Sequence, residues 1–289
     1  MILCNRNFIF IWLYLLGATA AGYASERVNE ISKSTSYRAL VLVLASDNCD
    51  LYRMFKIIWE SYIFSEPSIK VLFIYGKKEV TPIMPWDLVF PNISESYPVH
   101  LDKVFEAFAY VDSQYQYDFL IRTNLSTFWV LRRLLEHLDE LPTKMCYEGD
   151  GPLSGRGNYS AYVSGTDTIV NRYMVTSMIE HKDLLDFEKL PEDMAMGQYF
   201  HGILGAPIIP SSMHFVEHLR TDEDFENQMS QAIAEADSKR QSHFRIKTKV
   251  SKKHRERRLH MDERIARALL GKYYNKTVPD YVPQVLKSD

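Results

Sequence analysis

The sequence predicts an α/β domain in which helices flank a mostly parallel central sheet. Three observations carry that expectation. Residues 39–45, and residues 69–76 apart from Lys70, are apolar without alternation, as in strands covered on both faces. Residues 50–64 between them place apolar side chains at helical spacing, so strand, helix and strand form a crossover unit of the right-handed kind. The chain has 289 residues, 46% of them apolar, enough to bury one core of roughly 220–260 residues.

The remaining elements follow in order. Residues 25–36 are polar and aperiodic and read as a stem ahead of a domain over 37–289. Residues 99–111 carry a helical apolar face and feed a strand that opens at 119–121. The polar step Asn124-Leu125-Ser126 separates that strand from a helix expected over 127–138. A short strand through Val163, a turn at Gly165 and a helix over 172–181 come next. Glu192 and Asp193 open an apolar helical run that ends near Gly205. An acidic, glutamine-rich helix over 222–236, a strand within 242–250 and an amphipathic helix over 262–274 complete the chain.

Residues 1–24 read as a secretory address: Arg6, an apolar run over 8–16, then small residues with Ala18 and Ala20 in cleavage-site spacing. The run is shorter than the ~20 residues of a spanning helix, and both a cleaved signal peptide and a single-pass signal anchor in the membrane stay open. Either places the domain in the lumen of the secretory pathway or outside the cell, and the sequons at Asn92, Asn158 and Asn275 suit that side. Cys4 lies in the address, so Cys49 and Cys146 provide no disulfide framework and no cysteine zinc site. The net charge of -3 hides a basic run, because residues 245–258 hold eight Lys or Arg against one Glu. A secretory address argues against nucleic acid as the partner of that run.

Ligands of open α/β sheets bind beyond the carboxyl ends of the strands. Polar residues there are Ser46 and Asp47, the step from Asn124 to Thr127, and Ser164 to Asp167. Helix capping is the bland alternative for each. Glu192 and Asp193, behind Pro191, suit a helix start, and equally a general base that takes a proton from an attacking hydroxyl. They are too close together for a glycosidase pair. His243, Arg245 and Lys247 alternate with apolar residues and would share one strand face, where cations could neutralise a diphosphate. The chain has no glycine-rich phosphate loop, no H-E-x-x-H and no G-x-S-x-G.

Read together, four stretches resemble the family 31 glycosyltransferases, the β-1,3-galactosyltransferase and Fringe-like group. "ESYPVHLDKVFEAF" matches an acidic-x-Tyr…Leu-x-Lys segment through Glu95, Tyr97, Leu101 and Lys103; "YDFLIRTNLSTFWVL" matches the strand and metal motif, with Arg122 in place of Lys. "YSAYVSGTDTIV" is similar to the acceptor-side Tyr-x-x-Gly segment, and "PEDMAMG" to the Glu-Asp-Val-x-x-Gly motif. The resemblance implies a GT-A-type nucleotide-sugar domain that transfers a sugar with inversion. Asp193 would be the base and Glu192 its support or alternate. Ser46, Asp47, Glu95, Lys103, Arg122, Asn124, Ser126, Arg245 and Lys247 would bind the nucleotide sugar, expected to be a UDP-sugar, and Tyr162, Gly165 and Thr166 would face the glycan acceptor. The family's Mn²⁺ or Mg²⁺ is not assigned, because Asn124-Leu125-Ser126 stands where the family has three Asp. His243 is the one candidate metal ligand, and Lys103, Arg122, Arg245 or Lys247 is expected to meet the diphosphate instead. The lost Asp residues also fit a second reading, a degenerate glycan- or nucleotide-binding protein or partner subunit of an active transferase.

Overall fold

The computed structural model describes residues 36–77, 81–93, 100–155, 159–185, 190–211, 213–216, 225–248 and 255–282. Its strands are β1 (Ser36–Leu44), β2 (Ile69–Tyr75), β3 (Asp87–Val89), β4 (Gln116–Asn124), β5 (Thr127–Trp129), β6 (Tyr147–Gly149), β7 (Asp167–Asn171), β8 (Ile208–Pro210), β9 (His214–Val216) and β10 (His243–Ile246). Its helices are α1 (Asp50–Glu60), α2 (His100–Gln114), α3 (Leu131–Leu138), α4 (Arg172–Glu180), α5 (Glu192–Gly197), α6 (Phe225–Ser238) and α7 (Arg255–Tyr274).

Seven strands form the main sheet in the order β3-β2-β1-β4-β7-β6-β8. The half from β3 to β4 is parallel, β7 runs antiparallel to both of its neighbours, and β8 returns parallel to β6. This is the mostly parallel sheet flanked by helices that the sequence predicts. The unbroken apolar run of β1 has a direct cause. Ala39, Val41 and Val43 enter a core with Phe55 and Trp59 of α1 and Ile265 and Leu269 of α7. Leu40 and Leu42, pointing the other way, meet Val104 and Phe108 of α2 and Met174 and Met178 of α4. With each such side chain contributing about 1.5–3 kcal/mol on burial, neither face of β1 tolerates a polar residue.

A second sheet, β5-β10-β9, lies outside the main one. It corrects the helix expected over residues 127–138. Thr127, Phe128 and Trp129 pair antiparallel with Arg245, Phe244 and His243, and the helix begins at Leu131. β-Branched and aromatic residues favour that ladder, but its partner strand lies more than a hundred residues away. The strand expected through Val163 also moves: Tyr162 makes one isolated bridge to Leu153, and the ladder partner of β4 is β7. Among the described residues no helix is long and apolar enough to cross a membrane; residues 1–24 and the stem to residue 35 lie outside them.

Candidate active site

The central parallel strands end level with one another, Leu44 of β1 standing opposite Asn124 of β4. Beyond those carboxyl ends lies a cleft of about 500 Å³. Leu44, Ala45 and Ser46 line one side, the Asn124-Leu125-Ser126 step another, and Ser164-Gly165-Thr166 a third. Glu192 and Asp193 enter from the first turn of α5, Lys103 from α2 and Arg245 from β10.

The two adjacent carboxylates occupy different environments. Glu192 is buried and forms an ion pair with the guanidinium of Arg122. Burial raises its carboxyl above the ordinary range; Arg122 opposes that rise, Asp193 adds to it and Lys103 opposes it. Asp193 is only half-buried, and its Oδ1 accepts the Met194 N–H at 2.9 Å. Of the pair, Asp193 is the one available to take a proton from a hydroxyl in the cleft.

The cations are held by the fold rather than by solvent. Arg122, at 3% exposure, donates from Nη1 to Asn124 Oδ1 at 3.1 Å, and its buried Nε has no hydrogen-bond partner among the described residues. Lys103, at 1% exposure, donates to the Ala45 carbonyl at 3.3 Å. Arg245 donates to Thr127 Oγ1 at 3.5 Å, and burial with the neighbouring Arg122 and Arg258 charges pushes it down to about 10. Such crowding of like charges in one cleft suits an anion.

A divalent metal is a poor fit to the same step. Asn124 Oδ1 is taken by Arg122, Leu125 is apolar and buried, and Ser126 offers only neutral oxygen. His243 has neither ring nitrogen open, since Nε2 meets Asp167 Oδ2 at 3.1 Å and Nδ1 meets Ser242 Oγ at 3.0 Å. Among the described residues no group of three His, Cys, Asp or Glu side chains could hold a metal ion.

Ser46, Lys103, Arg122, Asn124, Ser126, Gly165, Thr166, Glu192, Asp193 and Arg245 thus lie on one cleft. Other expected site residues lie elsewhere. Asp47 turns into a neighbouring groove, where its carboxylate accepts from the Thr81 N–H and hydroxyl. Tyr162 packs its Cβ against Gly197 and does not line the cleft, and Lys247 is exposed outside it. Glu95 lies outside the described residues. Asn48 and Tyr52 also line the cleft and were missed. Their signal was available, for Asn48 lies just beyond a buried strand and Tyr52 in the first turn of the helix that follows.

No protein-family model matches the chain, and no curated protein matches it significantly. Among solved structures it is similar to a glycosyltransferase involved in the glycosylation of the major capsid of PBCV-1. The TM-score is 0.43 and the identity 11%, over 78% of this chain and 98% of that one.

Proposed function

We propose that the protein is an inverting glycosyltransferase of the kind its motifs resemble, moving a sugar from a nucleotide sugar, a UDP-sugar by that resemblance, to a glycan hydroxyl. The observation that supports this most is the cleft itself, which combines one half-buried carboxylate, Asp193, with three buried or partly buried cations. Asp193 takes the proton of the acceptor hydroxyl, whose oxygen attacks the anomeric carbon. The bond from that carbon to the diphosphate oxygen breaks, and the diphosphate departs with the electron pair. Arg245, Lys103 and Arg122 meet its charge in a partly dehydrated site, where fixed cations act strongly. Glu192 serves as the counterion that holds Arg122 in place. No step runs through a metal. The N-terminal address would deliver this reaction to the secretory lumen.

The test is a panel of nucleotide sugars with mixed glycan acceptors, using the full chain and reading product configuration by NMR. A product whose anomeric configuration is opposite to the donor's is expected; retention, or no product from any donor, would contradict the proposal. The Asn124-Leu125-Ser126 step favours one other reading, a nucleotide or glycan binder without transfer. Thermal stabilisation by UDP without turnover would select it.

A further inference from the structure

We propose that the buried Asp167–His243 pair is a positioning device that sets Arg245 against the donor diphosphate. This rests on the reading of Arg245 as a ligand of that diphosphate. Among the described residues β10 has ladder partners only in β5 and β9, and no backbone ladder there ties it to the main sheet. His243 makes the tie through its side chain. Its ring is stacked on Trp129 at 4.2 Å and 20°, and Trp129 Nε1 donates to Thr123 Oγ1 of β4 at 3.0 Å. Nε2 reaches Asp167, the first residue of β7, and Nδ1 reaches Ser242.

Asp167 is fully buried and well supported. It accepts from the Asp150 N–H and the Thr166 hydroxyl at 3.0 Å each, and from the Ser211 hydroxyl. Burial alone would raise its carboxyl; His243, Ser211 and the Asp150 N–H hold it below the ordinary carboxylate range. The pair is therefore a fixed point on the main sheet.

Arg245 stands two residues from His243 and so on the same strand face. Its partner Thr127 donates to the Thr166 carbonyl at 3.2 Å, and Thr166 bonds Asp167. The contacts close a ring through Asp167, His243, β10, Arg245, Thr127 and Thr166. Loosening His243 frees one end of the segment that carries the guanidinium, although neither His243 nor Asp167 lines the cleft.

The experiment is a double-mutant cycle on the full chain, with UDP and GDP affinity measured by calorimetry below the unfolding range of every variant. Arg245→Ala and His243→Ala are each expected to weaken binding about tenfold, and the double variant to bind like Arg245→Ala alone. His243→Gln, whose amide nitrogen replaces the Nε2 donor, should restore affinity to within about threefold. His243→Asn reaches Ser242 but not Asp167, and replaces the alanine variant should that one unfold. If the His243 loss is the same in both backgrounds, or stability falls with affinity intact, the positioning role is overturned and the donor site stands. Affinity indifferent to Arg245→Ala, or no binding by the unaltered chain, overturns both.

Discussion

A Cβ built on Gly165 would come within 2.5 Å of Arg122 Nη1. The guanidinium that pairs with Glu192 therefore occupies the space that any other residue at 165 would fill. Gly165→Ala should displace Arg122 and cut turnover on the order of 100-fold, as a misplacement near 1 Å does. Initial rates beside urea unfolding check it, with about 1–3 kcal/mol of stability lost to overpacking. Arg122→Met removes the partner of a buried carboxylate and should cost about 3–5 kcal/mol, read from the same unfolding curves. The adjacent acids after Pro191 were legible in the sequence, since two carboxylates at a helix start invite attention. Their different environments, Glu192 buried against a cation and Asp193 half-exposed, were not. They depend on Arg122, 70 positions earlier in the chain than Glu192, and no local pattern records which acid that side chain selects.

β10 brings Arg245 to the cleft while burying Phe244 against Tyr273 of α7, with ring centroids 5.6 Å apart. Phe244→Ala should cost about 3–5 kcal/mol by denaturant unfolding. α3 and β6 are joined by a pH-sensitive contact, His137 Nε2 lying 2.7 Å from Glu148 Oε1. That bond holds the imidazole above its ordinary range, with burial opposing. A raised folded value means the folded state binds the proton more tightly. The contribution is full below the unfolded imidazole value of about 6.5 and is lost as pH rises through the raised one. The melting-temperature gap between the unaltered chain and His137→Gln should shrink as pH rises; a gap that widens would contradict this. The long helices were legible from their internal periodicity and the long strands from apolar runs, signals that need no distant partner. β5 and β7 were not: each has polar residues that read as a turn or helix cap, and both are satisfied by distant partners such as Thr166 and Asp150.

Across the whole molecule, the parallel half of the sheet could be read directly because both faces of β1 and β2 are buried. The other half is built on strands as short as the three residues of β6 and β8, too short for any period to register. The convergence of α2, β4, α5 and β10 on one cleft follows from that assembly, which explains why many residues of the cleft could be nominated from sequence while their arrangement could not. A chain of net charge -3 thereby brings Lys103, Arg122 and Arg245 together where the strands end. The central claim is that Asp193 and these cations carry out sugar transfer without a metal. Its most direct test is nucleoside diphosphate release by the full chain in EDTA, with the cognate donor and acceptor, beside Asp193→Asn. Release that persists in EDTA and is lost in Asp193→Asn is the expected result. Release that EDTA abolishes and Mn²⁺ restores, or that Asp193→Asn leaves intact, would contradict it.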